Sequence, residues 1–363
     1  MTFKAAYVRQ SIDHQVIAPS VFGFAALALI PFFFAGKTSK WMKAVASVAL
    51  ASMLFVAIPA NLPIAKMPYI LSFPAMLFWN GYETVSRFSR CAQVLEGKSS
   101  IPDGYQKHMQ GIKEANHLPP LKGTVDIFPN EINVVIASGY DYHPRPVIQS
   151  YVAYTQSLLK INRDFMQSPK AADFLVLQEM RDVYGFYPTS YDGPSWLEFL
   201  SRYEPTTCQP SGLIVKRRPT PVTLELKSLG TETAHLGEPI DLKDSGTSVL
   251  FAKINLPITS AGSLQKLFFR IYPPTISVEL KNGRKESFVV PTENLKAGFI
   301  ISPFVCTPEE IKGLYAPNPL DGLKDNEVAR VTIGERKNDF PWHALSDNFT
   351  IELFSLERHQ SVP

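Results

Sequence analysis

Cysteine is scarce in this chain: three residues, Cys91, Cys208 and Cys306, among 363. An odd number at such wide spacing excludes a disulfide framework, and without a C-x-x-C or Cys/His cluster the sequence signature of structural zinc is missing. The seven histidines are scattered, with no H-x-x-x-H or H-E-x-x-H pair, so no metal is expected. No glycine-rich phosphate loop follows any predicted strand, so no nucleotide and no other cofactor is expected. A G-x-S-x-G nucleophile elbow is also missing, which leaves serine hydrolase chemistry without its motif. Long Lys/Arg runs do not occur and the formal charge is only +3, which argues against nucleic acid as a partner. Glycine, at 20 residues, is outnumbered by 30 prolines, most of them beyond residue 118, and this suits loop-rich β structure better than a helical bundle.

Charge is also missing from two long stretches, and there the sequence speaks clearly. Val16 to Ala35 carries no charge and includes VFGFAALALIPFFFA; Ala44 to Ala65 is a second uncharged run. About 20 such residues cross a bilayer core as a helix. The linker holds Lys37, Lys40 and Lys43 and no acid, so the reading is a helical hairpin with a cytoplasmic lysine loop. The N-terminus and everything beyond Lys66 then face outward. A signal peptide followed by a core helix is the alternative, but the first run is long for one and lacks a small-residue cleavage site before a polar start. Tyr69 to Trp79, broken by Pro74, either lies in the membrane interface or packs as a core segment of the outer region.

Two amphipathic helices should follow as connectors, Tyr82–Leu95 and Asp103–Asn116, the second stopped by Pro119-Pro120. From Gly123 to Arg218 strands and helices alternate. Strands are expected at Thr124–Phe128, Val147–Val152, Phe174–Gln178 and Gly212–Lys216. Helices are expected at Glu131–Ser138, capped by Asn130 and stopped at Gly139; over a stripe of Tyr154, Leu158, Ile161 and Phe165; and at Trp196–Tyr203. This is an α/β layer with at least partly parallel pairing.

Beyond Pro219 the pattern becomes strand-like: Val222–Leu229, Ser248–Leu256, Lys266–Tyr272, Thr275–Lys281, Lys285–Val290, Gly298–Phe304, Val328–Ile333 and Phe349–Leu356. Asn282-Gly283 is a strong hairpin signal, and Pro308–Leu314 is a helical exception. The fold class expected is thus a membrane-anchored α+β protein: hairpin with interfacial segment over 1–80, helical connector over 81–122, α/β domain over 123–218, and an antiparallel, jelly-roll-like β-sandwich over 219–363.

The richest polar cluster is Tyr140-Asp141-Tyr142-His143-Pro144-Arg145-Pro146. A guanidinium fixed between prolines and flanked by aromatic rings suits a sugar, phosphate or carboxylate, so the candidate ligand-binding residues are Tyr142, His143, Arg145, Gln149 and Tyr154. The plainer alternative pairs Arg145 with a carboxylate of the same domain, and structural ion pairs are commoner than sites. Thr155 and Asn162 fit capping and core hydrogen bonds. Asp182, Asp192 and Glu198 could supply an acid/base pair for glycoside cleavage, but Asp192-Gly193-Pro194 also reads as an ordinary turn. No catalytic residue is assigned.

Gly123-Thr-Val-Asp126, the run from Arg145 through Thr155, Leu159, Asn162, Ala172-Asp173, Asp192-Gly193-Pro194, Leu200 through Tyr203, and Gly298 through Pro303 resemble a set of uncharacterised bacterial polytopic inner-membrane proteins ending in an extracytoplasmic region. Their layout is similar to that of membrane-embedded glycosyltransferases, although this chain has only two candidate spanning runs. The resemblance implies a bacterial inner-membrane protein whose folded part faces the periplasm. No activity carries over from those proteins; location, the sandwich fold and the layout together lead to the expectation of a non-catalytic accessory or binding protein in cell-envelope glycan assembly or export. Its expected partners are the lipid bilayer, a polytopic membrane protein and a glycan or phosphorylated ligand. The alternatives are an enzyme modifying glycans or lipid-linked sugars, and a structural subunit of a membrane complex.

Overall fold

The computed structural model describes residues 101–180, 185–242, 249–268, 271–336 and 342–359, with isolated positions between 86 and 96. The expected membrane hairpin and interfacial segment, most of the Tyr82–Leu95 helix, and Asp182 lie outside the described residues. Among the described residues no helix is long and apolar enough to cross a membrane. The chain divides into two compact units, Met1–Gly104 with Leu264–Ile271, and Tyr105–Ser263 with Tyr272–Pro363.

Helix α1, Ile101–Asn116, ends before the proline pair as expected. A mixed five-stranded sheet follows, built from β1 (Thr124–Phe128), β2 (Asp141–Tyr142), β3 (Phe174–Leu177), β4 (Tyr203–Gln209) and β5 (Gly212–Arg217) in the order β2-β1-β3-β5-β4. β1 runs parallel to β2 and β3, while β5 is antiparallel to β3 and β4. The helices here are α2 (Ile132–Ala137), α3 (Gln156–Gln167) and α4 (Ser195–Arg202).

Successive strand residues point to opposite faces. Val125, Ile127, Val176 and Ile214 meet Val134 and Val135 of α2 on one side. On the other, Phe128, Leu175, Leu177, Leu213 and Val215 meet Trp196 and Phe199 of α4. Asp126, between Val125 and Ile127, is sent by the same alternation to the main-core face, where a bare carboxylate would be costly. It is buried, and the site grows from it.

Four local expectations are corrected here. Val147–Val152 is not a strand; it is irregular and closes in a 3₁₀ turn at Ser150–Val152. Two prolines remove donors just before it; Val147 is held by the Asn162 side chain and Ser150 N donates to Pro129 O, so no ladder forms. On α3 the buried residues are Leu159, Asn162 and Met166, so the apolar stripe through Ile161 is rotated outward and Ile161 is exposed. The N-cap of α2 is Glu131 rather than Asn130, without a side-chain capping bond, although Gly139 is left-handed (φ 74°) as anticipated. β4 was not foreseen as a strand: Tyr203–Gln209 continues straight from α4 and pairs with β5.

The sheet changes between Arg217 and Thr223. β6 (Thr223–His235), β7 (Pro239–Asp241), β8 (Val249–Asn255), β9 (Thr275–Leu280), β10 (Lys285–Val289), β11 (Phe299–Ser302), β12 (Val328–Gly334) and β13 (Asn348–His359) form two four-stranded sheets, β10-β9-β12-β7 and β11-β8-β13-β6. Every pairing in them is antiparallel. The Asn282-Gly283 turn joins β9 to β10, with Gly283 at φ 87° and Leu280 N donating to Arg284 O at 2.8 Å. Three helices interrupt the strands: α5 (Ser260–Phe268), α6 (Thr292–Ala297) and α7 (Pro308–Gly313). α5 overturns the strand expected from Lys266: the Thr259 hydroxyl accepts the Gly262 N–H at 2.9 Å, an N-cap bond that starts a helix. α7 carries a full capping box between Thr307 and Glu310.

One apolar cluster joins Phe128, Leu177 and Trp196 to Val249 and Phe251 of β8, Ile300 of β11, Phe354 of β13 and Ile311 of α7. Residues 186–195 stitch these parts together. Phe186 bridges Val289, Tyr187 Oη donates to Ile301 O at 2.9 Å, and the Thr189 hydroxyl donates to Ile300 O. Asn294 Nδ2 donates to Ala153 O and Ser190 O at 3.1 and 2.9 Å.

Candidate functional site

Arg145 is 0 % exposed. Its Nη1 donates to Asp126 Oδ2 and Ile127 O, both at 2.8 Å, and its Nη2 donates to Pro129 O at 3.1 Å and Ser150 Oγ at 2.7 Å. The guanidinium also lies 5.1 Å from the centre of the Phe128 ring. Nε faces Asp192 Oδ2 at 3.9 Å, within ion-pair range but too long for a hydrogen bond. The fork thus spends its Nη donors on protein acceptors and pins the loop after β2 to the end of β1.

Asn162 does the same from α3. Its Oδ1 accepts from Val147 N at 2.8 Å, and its Nδ2 donates to Val147 O at 3.2 Å and to Asp192 Oδ2 at 2.7 Å. Asp192 is fully buried at φ 52°, in the left-handed region that an L-residue rarely takes. Burial pushes its carboxyl up to about 6; Arg145, the Asn162 amide and the Ser195 hydroxyl oppose the shift, and Asp126 adds to it. Two carboxylates therefore share one guanidinium in an enclosed space. Asp126 makes the close ion pair at 2.8 Å, and Asp192, at 3.9 Å, holds its proton above the usual carboxylate range.

Of the residues singled out from sequence, Arg145 and Asp192 come together, and Asn162 and Ser150 complete the cluster. Tyr142 borders it: burial raises its hydroxyl to about 12, Asp126 pushes the same way and Arg145 opposes. His143 is turned aside and stacks on Phe165 at 6.1 Å. Gln149 is half-buried and Tyr154 is 53 % exposed, and neither bonds to the guanidinium. Thr155 caps α3 by accepting from Leu158 N. Glu198 is held by Arg202 at 2.8 Å and by Gln167 at 2.7 Å on α4, engaged there rather than with Asp192. The cluster also takes in Asp126, whose signal in the sequence is a lone charge in the middle of the strand TVDIF.

Supporting contacts lie around the cluster. Asp173 Oδ2 accepts from the Thr124 backbone and hydroxyl, both at 2.9 Å, which holds its carboxyl below the ordinary range. Elsewhere a hollow of about 290 Å³ lies between Leu224, Val249, Leu314, Pro319 and Arg358, and it includes none of the residues picked from sequence. Among the described residues no group of three or more His, Cys, Asp or Glu could hold a metal ion.

The described region is thus a mixed α/β protein with two further antiparallel sheets and an enclosed Asp–Arg–Asp cluster. Compared with known proteins, the chain matches no family model, no curated protein and no solved structure.

Proposed function

We propose that the chain is a membrane-anchored accessory or binding protein of the bacterial inner membrane, acting in cell-envelope glycan assembly or export. Its N-terminal runs form the transmembrane hairpin, and its folded part faces the periplasm. The two four-stranded sheets are the halves of a jelly-roll-like sandwich. One observation carries the non-catalytic reading: Arg145, the most ligand-like group of the sequence, is enclosed and bound by protein acceptors, so it braces a loop rather than meeting a substrate. The outer surface of that loop, with exposed Tyr154 and half-exposed Gln149, is left as the face for a glycan or a polytopic membrane partner. The membrane location is supported by the uncharged runs, and the glycan class by the resemblance in layout.

The alternative is a glycan- or lipid-linked-sugar-modifying enzyme: the carboxyl of Asp192 is raised to about 6, a range suited to a general acid, but it is as fully buried as Arg145 and would act only if the cluster opened to substrate. Gentle detergent extraction from the native membrane separates the two. The accessory reading expects a co-purifying polytopic membrane protein, lost on Ala46→Leu with Ala49→Leu, because small residues let spanning helices approach. A strictly monomeric extract that turns over lipid-linked sugar, with turnover abolished by Asp192→Asn, would replace it with the enzyme.

A further inference from the structure

Helix α5 has its polarity inside out. Leu264 and Leu267, one turn apart on the same face, are 61 % and 64 % exposed, while Gln265 between them is 3 % exposed. A helix that belongs to a water-soluble core does the reverse. The first turn is fixed: Gly262 lies so close to Ala344 that a Cβ would stand 2.1 Å from its carbonyl oxygen.

Charge narrows what could cover them. From Pro257 to Pro274 the sequence PITSAGSLQKLFFRIYPP holds Lys266 and Arg270 and no acid, with Leu264, Leu267, Phe268, Phe269, Ile271 and Tyr272 interleaved. Aliphatic and aromatic residues mixed with cations and free of acids suit an interface with anionic headgroups.

We infer that the Leu264–Leu267 face of α5 lies on the surface of an anionic lipid bilayer, a peripheral contact additional to the spanning hairpin. This rests on the membrane-anchored reading above. The leucines enter the acyl boundary and Lys266 reaches the headgroups.

The test uses the full chain with its cysteines replaced by serine and a single new cysteine, Leu264→Cys or Leu267→Cys, carrying an environment-sensitive fluorophore. The chain is reconstituted in vesicles of phosphatidylethanolamine with phosphatidylglycerol. The expected result is a blue-shifted emission at both positions, quenched by brominated acyl chains, and a loss of the shift on Lys266→Glu. A control label at Thr231, exposed on β6, should keep water-like emission. Water-like emission at 264 and 267 in these vesicles would overturn the inference and leave the face to a protein partner. Resistance to alkaline carbonate extraction reads the hairpin separately, so a chain released by carbonate whose labels still shift would sink the anchor and keep the surface contact.

Discussion

Gly193 and Gly298 meet backbone to backbone: a Cβ on Gly193 would stand 2.0 Å from the Gly298 carbonyl oxygen. Gly298 is at φ 93° just ahead of β11, and its own Cβ would stand 2.3 Å from the Phe251 ring. The turn that carries Asp192 thus rests directly on the neighbouring sheet. Because the obstacle is backbone, Gly193→Ala should force a shift costing about 1–3 kcal/mol. A thermal melt checks this, and an unchanged midpoint would mean the contact is looser than it looks.

Arg145 and Asp126 should behave as a buried pair rather than as a binding site. Arg145→Ala strands Asp126 and should cost about 3–5 kcal/mol. Combining Arg145→Met with Asp126→Leu removes both charges and should recover much of that loss. A single substitution that leaves the melting temperature unchanged but weakens ligand binding would restore Arg145 to the candidate ligand set.

The pH dependence has a definite sign at Asp192. Its folded pKa of about 6 lies above the ordinary value of 3.8, so the folded state binds more protons than the unfolded chain between them. Its contribution is fully present below about pH 4 and is lost as pH rises through 6, a change of about 3 kcal/mol. Asp173 acts oppositely, because its lowered pKa makes its contribution fade in acid. The difference between wild type and Asp192→Asn isolates the first effect: the variant should gain relative stability from pH 4 to pH 7. A constant difference across that range would show that Asp192 is ionised throughout.

Cys306 should be an inert thiol. Burial, with Glu310 next to it, pushes it up to about 12, and its Sγ lies 3.4 Å from the Glu310 carboxylate. Since the thiolate is the nucleophile, iodoacetamide at pH 8 should leave Cys306 unmodified in the folded protein and alkylate it once denatured. Modification of the native protein at the rate of a free thiol would contradict the environment described.

Much of the scaffold was legible because it is local. Thr124–Phe128, Phe174–Leu177 and the hairpin at Asn282-Gly283 follow from alternation and turn chemistry, which act over a few residues. The end of α1 before a proline pair and the short helix at Pro308 are equally short-range. The sequence also pointed to Arg145 as the centre of the polar cluster and offered a domain carboxylate as one of its two partners.

Which carboxylate, and with what consequence, was decided by packing. Val147–Val152 has the composition of a strand, yet Asn162 and Pro129 take up backbone groups that a ladder would have used. The stripe through Ile161 was visible as a period, but its phase was set by Asn162 turning inward to reach Asp192, thirty positions away. Lys266–Tyr272 has the composition of a strand, yet the Thr259 cap on Gly262 starts a helix that runs through Lys266 and leaves Leu267 exposed. Periodicity determines that a segment has a face. The partner that the face meets is set by contacts between residues far apart in the chain, and only the folded arrangement brings those together.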